Sequence, residues 1–287
     1  MKNYLNPIKK ILTMIVGGAA YAILFYHLFT RENIKTIHLI SQTKINFINL
    51  FLIAFVWFFY TVSQGLYLKK VFQRWKISVS ILNAIKIWLA AVAIGLVTFG
   101  VGGIAVIFYE SKNLFKRQNS GNKLPAKLVL SYYIGYVSAI LLFIIFSLVF
   151  IIPDFYLKIA IFLIVLFVVV LFLIWQKLKW LALFYALPVI IMNFMLFVLS
   201  FHLIDLHPHL LDYLKTYNLN IILNVFSPSS GGLGFVEIGL LKYLEYIGFS
   251  VMQASLVTIL YRLISLWFTA FIGYMIVISL GITKVKS

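Results

Sequence analysis

Residues 227–237 read SPSSGGLGFVE and interrupt an apolar stretch that runs from about 217 to 248. Proline lacks a backbone donor and glycine lowers helix stability, so this segment stops a helix. A similar interruption, TFGVGG at residues 98–103, divides the apolar stretch from 81 to 110. The sequence therefore predicts two broken helical hairpins, each turning at a pair of glycines.

The rest of the chain is too apolar for an ordinary water-soluble surface. Of its 287 residues, 63% are hydrophobic and only 11% are charged. A bilayer core of about 30 Å needs about 20 apolar residues per helix, so this length allows about eight crossings or hairpins. We expect no attached soluble catalytic domain. The predicted fold class is all-α, a polytopic helical membrane protein.

Six further apolar segments are long enough for spans, and the basic residues between segments indicate their orientation. The formal charge of +17 indicates basic loops that face the cytoplasm and anionic lipid headgroups. We do not interpret it as a sign of nucleic-acid binding. Basic loops near 69–76 and 112–127, with both termini, are predicted on the cytoplasmic side of a bacterial or archaeal cell membrane. The predicted spans are 11–29, 47–67, 128–152, 156–175, 181–203 and 251–281.

The order of these segments predicts an inverted repeat within a single transmembrane domain over residues 1–287. Residues 1–152 read as span, span, broken hairpin, span, and residues 153–287 read the same in the opposite orientation. Each broken stretch then enters and leaves on one side of the membrane, although a full span plus a short half-helix is an alternative. Inverted repeats with paired interrupted helices are typical of transporters, which bind substrate where such elements meet.

Broken helices inside a membrane indicate a cavity, because unpaired backbone groups persist there only beside protein or water. Half-helices that begin after Gly103 and Gly232 would direct N–H groups at an anion, for which a phospholipid phosphate is the candidate. The alternative is that these glycines only allow close packing or a turn. The predicted substrate-binding residues are Thr98, Gly102, Gly103, Ser227, Ser229, Ser230, Gly231, Gly232, Gly234, Glu237 and Arg262.

Charged side chains inside apolar segments are costly and need partners. Arg262 lies about 11 residues into the last span, or roughly 16 Å, which places it near the midplane. We predict that it pairs with Glu237 and that a substrate phosphate competes for the guanidinium. A permanent ion pair that only holds the hairpin is the alternative. Lys86 and Glu110 lie nearer the cytoplasmic edge, where their side chains can extend to the interface.

Other chemistries have little support in the sequence. The chain has no cysteine, which excludes disulfides and a thiolate nucleophile. His202, Asp205, His207 and His209 are interpreted as a solvated external loop and not as a metal site. We predict no catalytic residue, no metal and no cofactor. The expected partners are membrane lipids, and a homo-oligomer is left open.

The segment at 227–237, followed by Gly248, Ala254 and the pair Tyr261-Arg262, resembles the membrane domain of the lysylphosphatidylglycerol synthase family. That family has a proline, Gly-Gly-x-Gly, a following glutamate and a Tyr-Arg pair on the next helix. The motif-level resemblance covers about 226–275. In the first hairpin, Phe108-Tyr109-Glu110 stands where the family commonly has an arginine.

The resemblance implies flippase-like movement of a phospholipid or a lipid-linked glycan between leaflets. Family members that attach lysine to phosphatidylglycerol carry a large soluble aminoacyl-transferase domain after the membrane part. This sequence stops at Ser287, so we expect no such enzyme activity. A role as a membrane component of lipid or glycolipid modification, and transport of a small polar solute, are the alternatives.

Overall fold

The structure, a computed structural model, describes residues 47–97, 101–117, 124–152, 180–227, 232 and 234–279. Within these ranges the chain is helical and contains no β-strand. The all-α prediction is therefore confirmed for the part of the chain that is described. The predicted spans at 11–29 and 156–175 lie outside the described residues.

Nine α-helices and one π-helical turn occur in the described ranges. They are α1 (Phe47–Arg74), α2 (Ile81–Val97), α3 (Val101–Arg117), α4 (Leu124–Ile151), α5 (Trp180–His202), α6 (Leu210–Phe226), α7 (Phe235–Tyr246), α8 (Val251–Arg262), the π-helical turn (Leu263–Phe268) and α9 (Thr269–Ser279).

Four helical segments of the described chain are long and apolar enough to cross a membrane. Large apolar side chains such as Phe51 and Phe58 are exposed on them, as expected for surfaces that face lipid tails. The protein is therefore membrane-embedded. These segments are Ile48–Arg74, Ala126–Leu148, Phe184–His202 and Val251–Ile278.

The first of these helices is longer than its predicted span of 47–67. It continues to Arg74, so Lys69 and Lys70, which were predicted in a loop, form its last turns. Lysine and arginine are good helix formers and their charge suits a helix C-terminus. The basic segment is therefore helical up to Arg74.

The helices α2 and α3 form the first hairpin, and each has 17 residues, or about 25 Å of length. The prediction that the second helix begins after the glycines is wrong, because α3 begins at Val101 and contains Gly102 and Gly103. A Cβ atom on Gly103 would lie only 2.7 Å from the carbonyl oxygen of Ala91 on α2. Gly103 thus allows the two backbones to pack closely, as in the packing alternative.

The second hairpin consists of α6 and α7, with the predicted glycine segment between them. The helix α6 begins at Leu210, earlier than the predicted start near 217, which shortens the predicted external loop. Its apolar surface packs on α7, where a Cβ atom on Gly239 would lie 2.4 Å from the side chain of Leu223. Both helices are shorter than the bilayer core is thick.

The chain divides into two compact units. Among the described residues, the first unit holds those within 1–51 and 197–263, and the second holds those within 52–196 and 264–287. In the first unit the ring of Phe197 packs against the rings of Tyr217 and Tyr261. In the second, Tyr67 and Tyr132 pack together. The predicted repeats of 1–152 and 153–287 stay a prediction.

A close helix contact in the second unit is made by Gly273 of α9. A Cβ atom on Gly273 would lie 2.1 Å from the carbonyl oxygen of Leu89 and 2.9 Å from Cβ of Ala93, both on α2. Small residues let helices approach this closely, which increases packing and allows weak Cα–H contacts with carbonyl oxygens. This contact fixes α9 against α2.

Candidate functional site

A buried ion pair joins α7 and α8 in the first unit. The Arg262 Nε atom donates to Oε1 of Glu237 at 2.8 Å, and the side chains are 7% and 1% exposed, respectively. The predicted partnership of these residues is therefore confirmed. A charge at this depth is stable only with a partner and further hydrogen bonds, since removing either charge from water is costly.

The glycine turn before α7 positions Glu237. Gly234 precedes the helix with φ of 81°, and Gly232 has φ of 75°. Residues other than glycine rarely adopt such positive φ angles. The Gly234 N–H donates to Oε2 of Glu237 at 2.6 Å. Glu237 also lies in the first turn of α7, where the helix dipole favours a negative charge.

Two asparagines of α6 connect the glycine turn to α8. Asn224 donates to Oδ1 of Asn220 at 3.0 Å, and Asn220 donates to the Tyr261 hydroxyl at 3.2 Å. A Cβ atom on Gly232 would lie 2.8 Å from Oδ1 of Asn224, so the turn approaches this chain of bonds closely. Tyr261 precedes Arg262 in α8, so the bond from Asn220 connects α6 to the helix that carries Arg262.

Three further polar atoms in the first unit are buried and lack a hydrogen-bond partner within the described residues. They are Oδ1 of Asn218, Oε1 of Glu245 and Oγ of Ser255. Ser255 is fully buried and lies seven residues before Arg262, so both residues project from one face of α8. Buried polar groups are almost always satisfied in proteins, and water or a polar ligand can supply the missing bond.

Arg262 is also the last residue of α8, directly before the π-helical turn. The sequence predicted one continuous span here and did not indicate this turn. A π-helical turn widens the helix, and such turns are frequent at functional sites. In the second unit, the Thr269 hydroxyl that follows the turn donates to the carbonyl oxygen of Ser265 at 3.1 Å.

The structure brings together one group of the predicted substrate-binding residues. The buried ion pair is formed by Glu237 and Arg262, and the preceding turn contains Gly232 and Gly234. Ser227 ends α6 as its C-terminal cap. Gly102 and Gly103 lie in the second unit. The predicted substrate contacts of both groups stay predictions. Residues Thr98, Ser229, Ser230 and Gly231 lie outside the described residues.

Sequence reasoning missed the asparagines. Asn220 and Asn224 are four residues apart, so they lie on one face of α6. Amide side chains on one face of an otherwise apolar helix signal a hydrogen-bonded interior, because an unpaired amide is costly there. That signal was present in the sequence, whereas the Tyr261 partner depends on how α6 and α8 pack.

Replacing Tyr261 with phenylalanine is expected to lower the free energy of unfolding by about 1 kcal/mol. The change removes the hydroxyl that accepts from Asn220 but keeps the ring that packs on Phe197. Denaturant titration in detergent micelles measures the loss. The control is Tyr246→Phe, since Tyr246 is 85% exposed. Equal losses in the two variants would contradict the proposed network.

The remaining charged residues from the sequence analysis lie elsewhere. Lys86 and Glu110 belong to the second unit and line a cavity between α2 and α3. In the segment after α5, Nε2 of His207 lies 3.0 Å from Oδ1 of the exposed Asp205. Among the described residues, no group of three metal-binding side chains was found.

The fold and site define a membrane-embedded protein that is helical throughout its described ranges and holds a buried ion pair beside a glycine turn. Comparisons with protein-family models, curated proteins and solved structures found no match to this chain.

Proposed function

We propose that this protein is a flippase-like transporter that moves a phospholipid or lipid-linked headgroup between leaflets. The observation that carries the proposal is the buried pair of Arg262 and Glu237, held at a glycine turn in a membrane-embedded chain. The motif resemblance to the lysylphosphatidylglycerol synthase family agrees with this function. The proposed location is a bacterial or archaeal cell membrane with both termini in the cytoplasm.

The cost of the ion pair supports a functional role. A protein in which well-packed apolar residues replace a buried ion pair is often as stable as the original, or more stable. Stability alone therefore does not explain the presence of this ion pair. Guanidinium groups bind phosphate through paired charge-assisted hydrogen bonds. Arg262 is therefore suited to bind the phosphate of a lipid headgroup.

The partners of Glu237 suggest how the exchange proceeds. A substrate phosphate would displace Oε1 of Glu237 from Arg262, while Oε2 retains the Gly234 N–H. The helix dipole of α7 would continue to favour the carboxylate. The buried hydroxyl of Ser255 is available to donate to a polar ligand. Glu237 thus remains stabilised while Arg262 holds the headgroup.

The short helices fit a re-entrant arrangement. The two helices of the first hairpin are about 25 Å long and those of the second have 17 and 12 residues, against about 30 Å for a bilayer core. We infer that each hairpin enters and leaves on one side of the membrane. Rocking of one inverted repeat against the other would then expose the headgroup to each leaflet in turn.

Lipid exchange in reconstituted vesicles tests the proposal. The purified protein is placed in vesicles with a fluorescent phospholipid, and an impermeant quencher measures the labelled lipid that reaches the outer leaflet. Replacing Arg262 with glutamine is expected to slow this exchange about tenfold or more, because the phosphate loses a charged hydrogen bond. The matched control is Lys242→Gln, on an exposed cation of α7.

Two results would contradict the proposal. Exchange that is unchanged in the Arg262→Gln variant would remove this residue from the mechanism. Uptake of a polar solute by vesicles without lipid exchange would favour solute transport instead.

A further inference from the structure

A largely apolar cavity of about 370 Å³ lies between α1 and α5 in the second unit. Its lining residues are Ser63 and Leu66 of α1, with Phe184, Tyr185 and Pro188 of α5. The side chain of Phe184 is 66% exposed, so the cavity is accessible from outside the protein. Both helices are long and apolar enough to cross a membrane, and the medium beside the cavity is therefore lipid.

The apolar lining accepts a lipid tail but does not select one kind of lipid. An empty space costs its lining atoms their van der Waals contacts, and acyl chains are the material at hand to fill it. A water molecule takes up about 30 Å³ in the liquid and a methylene group is of similar size, so the cavity has room for roughly ten methylene groups. Because a lipid tail is as apolar as leucine, any lipid fills the cavity with a similar small gain.

A cation beside the cavity supplies the selectivity. The Nζ atom of Lys70 lies 5.1 Å from the ring centroid of the lining residue Tyr185, within the range of a cation–π contact. The ring has no net charge, so this contact positions the ammonium group and leaves its positive charge uncompensated. In the described part of the chain, no carboxylate forms an ion pair with Lys70. Lys70 can therefore bind an anion beside the cavity.

The position of Lys70 along α1 suits a lipid headgroup. The membrane-crossing segment that ends at Arg74 has 27 residues, or about 40 Å, which is the thickness of a bilayer with its headgroups. Lys70 lies about 6 Å before this end and Ser63 about 16 Å before it. The ammonium group therefore lies near the headgroups, and the cavity extends to the level of the tails.

We propose that this cavity holds an acyl chain of an anionic phospholipid whose phosphate binds Lys70. A phosphatidylglycerol headgroup has a net negative charge that the ammonium group compensates. A zwitterionic headgroup brings its own cation close to Lys70, which weakens the attraction. This inference goes beyond the proposed function, because the cavity lies in the second unit and does not include Arg262 or Glu237.

Photocrosslinking in vesicles measures which lipid occupies the cavity. Phe184→p-benzoylphenylalanine places a photoreactive group in the lining. Phe58→p-benzoylphenylalanine places the same group on α1 outside the lining, where the side chain is 57% exposed. Each full-length protein is reconstituted with equal amounts of dioleoyl phosphatidylglycerol and dioleoyl phosphatidylethanolamine, which differ only in headgroup. After illumination, mass spectrometry of the protein gives the ratio of the two captured lipids.

The ratio of captured phosphatidylglycerol to phosphatidylethanolamine is expected to be about fivefold higher at Phe184 than at Phe58. Adding Lys70→Gln is expected to lower the ratio at Phe184 to that at Phe58, whereas Lys70→Arg keeps it high. The matched control is Lys69→Gln, which removes a neighbouring cation that points about 100° away around the helix. This control is expected to change the ratio much less than Lys70→Gln.

Equal ratios at Phe184 and Phe58 would overturn the proposal. A high ratio that persists in the folded Lys70→Gln variant would also overturn it. An equal decrease in Lys70→Gln and Lys69→Gln would do the same, because it would indicate attraction to the whole basic end of α1 and not to one site. Since the lipid is captured at the cavity itself, a failure of lipid exchange through Arg262 would leave these results unaffected.

Discussion

Replacing Arg262 with alanine is expected to lower the free energy of unfolding by about 3–5 kcal/mol. The change leaves the Glu237 carboxylate, which is 1% exposed, without its guanidinium partner. The Gly234 N–H remains as a donor, but a neutral donor does not replace a full positive charge. Denaturant titration in mixed micelles measures the difference between the variant and the parent protein.

The matched control is Lys242→Ala. Lys242 pairs with Glu245 at 2.8 Å on the same helix as Glu237, but its side chain is 64% exposed. Exposed ion pairs contribute about 0–1 kcal/mol, because water and salt screen the charges. If Arg262→Ala lowered the free energy of unfolding no more than Lys242→Ala does, burial would not make the Arg262–Glu237 pair more important for stability than an exposed pair.

A double variant separates a structural pair from a functional one. Combining Glu237→Gln with Arg262→Met removes both charges, so the free energy of unfolding is expected to recover most of the loss seen in Arg262→Ala. If Arg262 binds the substrate phosphate, lipid exchange stays slow in this folded protein. Recovery of exchange together with stability would instead mean that the pair only holds α7 against α8.

Replacing Gly273 with alanine is expected to lower the free energy of unfolding by about 3 kcal/mol. The added Cβ atom would lie 2.1 Å from the carbonyl oxygen of Leu89, a backbone atom that cannot rotate away. The helices α9 and α2 must therefore separate, and their close packing is lost along the contact. The same micelle titration measures this effect.

Gly95→Ala on α2 provides the comparison. A Cβ atom on Gly95 would lie 3.5 Å from the nearest atoms of Gly103, an ordinary van der Waals distance. Alanine also has a higher helix propensity than glycine, so this variant is expected to match or exceed the parent in stability. If Gly273→Ala were as stable as Gly95→Ala, this result would contradict the close contact between α9 and α2.

Particular residues indicate how much of the candidate site could be predicted from sequence. Arg262 and Glu237 were paired from the cost of charge in an apolar segment, and the structure contains that pair. Gly232 and Gly234 were predicted at a turn, where both have positive φ. By contrast, Asn220 and its bond to Tyr261 depend on the packing of residues 41 positions apart in the chain.

The sequence by itself determined that the described residues are helical and membrane-embedded, with breaks in two apolar stretches, because apolar length and the conformational limits of glycine and proline act locally. Only the tertiary structure decided where α3 begins relative to its glycines, that α1 extends to Arg74, and that a π-helical turn follows Arg262. It also decided that Lys86 and Glu110 line one cavity. These features depend on which helix faces lie against each other, and close packing between distant segments leaves little trace in local composition.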